Sequence, residues 1–296
     1  MLVQWYPGHM SKARRMMEED VKLVDLVIEI VDARCPVSSQ NPDIKKIAGN
    51  KPILMLFNKS DLADKEICRD WKNYYQKEGI PVVFLNSKNK EGIREVPLAI
   101  KNACKEKIEK NLKKGIKNQT IKVMVAGIPN VGKSTFINAF TGRNITKTGD
   151  KPGVTVGKQW IKASKDIDLL DTPGILWPKF DDQSAAMNLA YIGSINDEIL
   201  VVEELAGKLL VYLYDNYFSL LSEKYRFDEN ILAPLYSDDN EEFVSKESLL
   251  LSQVAKVLGC LKKGGELDLF KASNRFLDDF RGGKIGKISL EKPDNE

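Results

Sequence analysis

Residues 121–134, IKVMVAGIPNVGKS, constrain this chain more than any other stretch. An apolar run of strand length ends in GxxxxGK[ST] and passes into a helical pattern, the context a phosphate-binding loop requires. Backbone N–H groups in such a loop, at a helix N-terminus, cradle phosphate oxygens. The pattern assigns Asn130, Val131, Gly132, Lys133, Ser134 and Thr135 to nucleotide contact. Gly132 permits close backbone approach. Lys133 reaches the β- and γ-phosphates as a catalytic charge, and Ser134 offers an oxygen to Mg²⁺. Asn130 has two readings: a group that helps hold K⁺ between the phosphates, supplying positive charge to the transition state, or a solvent-facing loop residue.

Two further motifs narrow the chemistry. DTPG, Asp171 to Gly174, ends a second strand-like run. Its carboxylate suits Mg²⁺ held through water, and the Gly174 N–H suits a γ-phosphate whose loss would release the following segment. NKSD, Asn58 to Asp61, ends another apolar run. Asp61 can accept from guanine N1–H and the 2-amino group, donors that adenine lacks, so ATP would leave a carboxylate poorly paired. Lys59 would stack over the base. NSK, Asn86 to Lys88 and so including Ser87, also ends a strand but lacks the usual alanine of a base-side SAK loop. Thr155, in PGVT, is the expected switch threonine, reaching Mg²⁺ through its hydroxyl and backbone; Thr146 and Thr148 compete for that role.

The order of these motifs is permuted. NKSD and NSK precede the phosphate loop and DTPG, where small GTPases run the other way. Each loop still ends its own strand, so the spatial sheet can be kept. The expected architecture is α/β: a phosphate-loop GTPase parallel sheet in circularly permuted order, followed by an all-α C-terminal domain. Strands are expected at Asp25–Ala33, Lys51–Lys59, Pro81–Ser87 and Ile121–Gly127, with a hairpin from Lys158–Ser164 and Asp166–Thr172. Helices are expected over Lys65–Lys77 and from Glu95 to about Lys114. Beyond Gln183 only helical spacing remains, as in Ile199, Val202, Leu205, Leu209 and Leu213, in Leu249, Val254, Val257 and Leu261, and in Phe270, Phe276, Leu277 and Phe280. The domain break is placed beside Pro178, giving 1–178 and 179–296, and the segment after Lys284 reads as loosely held. With the exit directly after DTPG, nucleotide state is expected to be relayed to the helical domain.

Catalysis lacks its usual group. GTPases commonly orient the attacking water with a glutamine just after DxxG, but Ile175 and Leu176 stand there. The one histidine, His9, lies in the turn-forming WYPGHM. It is either a water-positioning catalytic residue or a structural or RNA-contacting one.

Composition bounds the rest. No run of 18 apolar residues occurs, the start lacks a signal-peptide core, and four scattered cysteines form no CxxC pair. A reducing cytoplasm and no membrane partner are expected. Net charge is only +3, yet eight lysines between 101 and 122 meet two glutamates. From charge alone, a solvated helix face is favoured over a nucleic-acid surface.

Together these residues resemble the circularly permuted ribosome biogenesis GTPase A (YlqF-type) family. The resemblance runs the length of the chain: WYPGHMSKA, VDARCPVSSQNP, NKSD, GIPNVGKSTFIN, TGDKPGVT, LLDTPGILWPKF, KKGGELDL and DFRGGKIGKISLE. It implies GTP and GDP binding with Mg²⁺, hydrolysis stimulated by the ribosomal particle and by K⁺, and a role in late 50S large-subunit assembly. It makes His9 the candidate catalytic residue and the helical domain a contact for ribosomal RNA, which gives the lysine clusters a use and reverses the reading from charge alone. A monomer is favoured.

Overall fold

The computed structural model describes residues 8–116, 119–146, 159–177, 182–228, 230–236 and 245–293; at 8–10 and 234 it describes backbone alone. Thr155 and Thr148 therefore lie outside the described residues.

The strands are β1 (Leu26–Asp32), β2 (Ile53–Asn58), β3 (Val82–Phe84), β4 (Ile121–Ala126), β5 (Gln159–Lys162) and β6 (Ile167–Asp171). They form one sheet in the order β3-β2-β1-β4-β6-β5, parallel except for the β5–β6 pair. The expected hairpin is thus an antiparallel edge on a parallel sheet. Every residue of β1 is buried, as a central strand covered on both faces requires. The chain steps outward from β1 through β2 and β3, then returns to place β4 on the other side of β1. The switch point lies between the carboxyl ends of β1 and β4, where open α/β sheets bind ligands.

In the same unit, α1 (Gly8–Asp20), α2 (Pro42–Ala48), α3 (Lys65–Lys77), α4 (Val96–Ala103), α5 (Lys105–Lys113), α6 (Lys133–Thr141) and α7 (Gln183–Tyr191) accompany the strands. One face of the sheet carries two neighbouring clusters, one of Ala13, Met17, Val27, Ile44, Met124 and Ile175, the other of Val31, Phe57, Ile67, Trp71 and Tyr75. The first of these is built partly by α1, which the sequence analysis did not anticipate. Gly8 to Met10, read there as a turn, form the first turn of this helix. The single expected helix from Glu95 is two helices, parted at Cys104, whose backbone leaves helical geometry.

The helical unit contains α8 (Val202–Asn216), α9 (Phe218–Tyr225), α10 (Lys246–Val257) and α11 (Leu269–Arg281). Leu205, Leu209 and Leu213 are buried as their spacing predicts, as are Phe276, Leu277 and Phe280. In α10 the buried stripe is Leu250, Leu251 and Val254, while Val257, Leu261 and Phe270 are exposed. Arg281 ends α11 by donating to the Tyr191 and Ala190 carbonyls and forming a two-pronged ion pair with Asp197. It supplies partners for carbonyls that the last turn of α7 cannot satisfy itself.

The compact units divide between Leu189 and Ala190, in the last turn of α7, rather than beside Pro178. The second unit is Ala190–Ile288, and the chain from Ser289 belongs to the first. That segment is not loosely held. Ser289 is fully buried, its hydroxyl accepts from the Asp64 N–H, and the Leu290 N–H donates to the Arg34 carbonyl.

Candidate nucleotide site

The phosphate loop follows β4 and opens α6, with Gly132 at φ +93° as the residue preceding the helix. A Cβ there would meet Asn58 Nδ2 at 2.4 Å as well as strain the backbone. Asn130, also in the left-handed region, is half-buried. Val131 is buried, and Ser134 and Thr135 are half-buried in the first turn of α6. Lys133 is buried, and its Nζ donates to the carbonyls of Gly127 and Ile128, each at 3.0 Å. Burial brings its ammonium down to about 8, against the opposing pull of Asp171.

The NKSD turn is stitched to this loop. Asn58 Nδ2 donates to the Val131 carbonyl at 2.8 Å, and its Oδ1 accepts from the Ser87 N–H at 3.1 Å. One side chain thereby spans the phosphate loop and the NSK loop. Lys59 Nζ donates to the Asn130 carbonyl at 2.7 Å and pairs with Asp32 at 3.0 Å. Asp61 and Lys88 are exposed; Asn86 and Ser87 are buried. Asn86 Nδ2 and Ser87 Oγ are buried polar atoms without a hydrogen-bond partner among the described residues, the condition that a bound polar group relieves. The degenerate NSK therefore lies beside Asn58, as a base-side loop would.

Asp171 ends β6 next to the loop. Burial raises its carboxyl to about 6, with Lys133 and the Thr172 N–H pulling it back. Its Oδ1 is buried without a hydrogen-bond partner among the described residues, so the oxygen suits a hydrated divalent cation. Thr172 is anchored by its hydroxyl to the Val125 carbonyl. Gly174 passes so close to the loop that a Cβ would lie 2.7 Å from Lys133 Nζ and 3.1 Å from Pro129 N. Ile175 and Leu176 are each 1% exposed, so their side chains turn into the core.

Residues 32–41 escaped the sequence analysis, although VDARCPVSSQNP stood out as a motif. Asp32, fully buried, accepts from Arg34 Nε and Nη2, both at 2.9 Å, in addition to pairing with Lys59. Burial alone would raise this carboxyl, but the two cations hold it far below the usual carboxylate range. At the far end of the loop, Asn41 Nδ2 donates to the Ile175 carbonyl at 3.0 Å and its N–H donates to Glu29 at 2.9 Å.

Comparison with known proteins agrees with this geometry. Residues 122–241 match the family described as 50S ribosome-binding GTPase. The chain is 44% identical over 295 residues to ribosome biogenesis GTPase A of Bacillus licheniformis, covering all of both chains. It belongs to the ribosome biogenesis GTPase A family. The Thermotoga maritima member is 30% identical over 295 residues, 99% of this chain and 95% of that one. The GNP-bound structure of YlqF from T. maritima superposes with a TM-score of 0.63 at 26% identity, covering 96% of this chain and 100% of that one. As a member of the family this chain is a GTP-binding and GTP-hydrolysing enzyme, with Mg²⁺ as the usual companion of the nucleotide. His9 lies in the first turn of α1, its side chain outside the described atoms.

Proposed function

We propose that the chain uses GTP binding and hydrolysis to time its residence on a maturing large ribosomal subunit, a late 50S precursor. The observation that carries this reading is kinship with ribosome biogenesis GTPase A over the whole chain, both compact units included. The nucleotide lies across the carboxyl ends of β2, β3, β4 and β6. Asp61 accepts from guanine N1–H and the 2-amino group, and Lys59 flanks the base. Asn58 fixes the NSK loop, where Asn86, Ser87 and Lys88 close the base side. Lys133, with the backbone of Asn130 to Thr135, holds the phosphates. Ser134, Thr155 and Asp171 are the residues that would hold Mg²⁺, which would supply positive charge to the phosphates. Gly174 turns its N–H to the γ-phosphate, and nucleotide state is relayed onward to the helical unit.

His9 is the proposed water-positioning residue. Ile175 and Leu176 are apolar and packed away, and α1 reaches the cluster around Ile175 through Ala13 and Met17. Asn130 is the proposed helper for K⁺. Ribosomal RNA is the proposed partner of the helical unit; α5, which buries none of its residues, adds a lysine-bearing surface. We further propose that the protein works as a cytoplasmic monomer. Co-migration on sucrose gradients tests the assignment. The chain should travel with 50S-sized particles in the presence of a GTP analogue and leave them in GDP; equal distribution in both would remove the timing role.

A further inference from the structure

The segment from Ser289 returns from the helical unit and closes on the loop that follows β1. Glu291 is its anchor. Its carboxylate accepts from the Val37 N–H at 2.8 Å and the Ser38 N–H at 2.9 Å. It also accepts from the Ser38 hydroxyl, and from Asn188 Nδ2 of α7 at 3.3 Å. The Trp71 indole N–H donates to the Glu291 carbonyl at 3.4 Å. Two adjacent amides and a hydroxyl converging on one carboxylate form a small anion cradle, filled here by a residue 254 positions away from Val37.

The cradle lies in the loop that touches both ends of the nucleotide site. On one side, Asp32 and Arg34 brace Lys59 of the NKSD turn. On the other, Asn41 holds the Ile175 carbonyl, directly after DTPG. Between them the loop is knit tightly: Ser39 Oγ accepts from the Asp32 N–H and donates to the Cys35 carbonyl, and the Gln40 N–H reaches the Val37 carbonyl. Val37 is 54% exposed and the adjacent Ser38 is buried, and it is at this pair that Glu291 attaches.

We propose that Glu291 is a positioning residue of the nucleotide site. By capping Val37 and Ser38 it fixes the loop whose ends hold Lys59 and the backbone after DTPG. The two ends differ in what they sense. Lys59 flanks a base common to GTP and GDP, whereas the segment after DTPG answers to the γ-phosphate alone. Loss of the cap therefore weakens GTP binding more than GDP binding. By linkage, GTP tightens the cap more than GDP does.

The test is affinity of the full chain and its Glu291→Ala variant for fluorescent GTP-analogue and GDP probes. Coupling through a packed network is worth about twofold to thirtyfold in affinity, and the analogue should lose by that amount while GDP loses less. Unchanged affinities, or equal losses for both nucleotides, would overturn the proposal. Should the variant fail to fold, amide exchange in the native chain decides. Val37, Ser38 and Leu290 should exchange more slowly with GTP analogue than with GDP, and identical exchange in the two states would overturn it.

Discussion

Two acidic residues of β1 show how the same burial gives opposite outcomes. Asp32 meets a guanidinium and an ammonium and stays charged. Glu29, three residues earlier and also buried, accepts from the Asn41 N–H and pairs with no cation among the described residues, and burial raises its carboxyl from the ordinary 4.5 to about 7. A folded-state value above the unfolded one means that the native state holds the proton longer. Unfolding free energy therefore falls as pH rises from about 4.5 to about 7 and levels off beyond. Glu29→Gln keeps an acceptor for Asn41 and carries no charge. Urea unfolding at pH 5 and pH 7.5 should show the variant gaining on the native chain by up to about 3 kcal/mol at the higher pH. Parallel pH curves would show that Glu29 is ordinary. The placement of the phosphate loop, NKSD and DTPG at the carboxyl ends of their strands was legible in sequence because each motif is contiguous and follows a continuous apolar run. The loop from Asp32 to Asn41 was not. Its contacts with Lys59, Ile175 and Glu291 join distant positions, and several of them use backbone groups that no side-chain pattern advertises.

At the scale of elements, the turn after β6 is governed by close packing against the phosphate loop. Gly174 has room for a hydrogen only, since a Cβ would press on Lys133 Nζ and the Pro129 backbone. Gly174→Ala should cut affinity for a GTP analogue about tenfold, the worth of roughly one charge-assisted hydrogen bond, with a smaller loss for GDP. Calorimetric titration with each nucleotide checks this, and equal losses would place the effect in the phosphate loop instead. The long parallel strands were readable from their continuous apolar runs. The strand edge was readable from its hairpin spacing. Helix α1 is not anticipated in the sequence analysis, although Ala13 and Met17 stand four residues apart and are both buried. The parting of α4 from α5 was not readable, because Cys104, the buried residue at the break, is neither glycine nor proline. In α10, Val254 is buried as its spacing predicts, but its buried companions are Leu250, Leu251 and Ala255, and Val257 is exposed.

At the scale of the molecule, permutation decides how the two units are joined. The chain leaves the GTPase unit soon after DTPG, through α7, and returns at Ser289 to lie against the loop after β1. Both crossings thus attach next to segments that border the proposed nucleotide site. The first follows from motif order and could be read from sequence. The second could not, since KISLE is short, and its glutamate finds its partners only in the folded sheet. The central claim is that this GTPase is timed by a ribosomal particle, with its own water-positioning machinery incomplete at Ile175. Single-turnover GTP hydrolysis with and without 50S particles measures this directly. The account predicts slow hydrolysis by the free protein and marked acceleration on adding particles. Equal rates in the two conditions would contradict it.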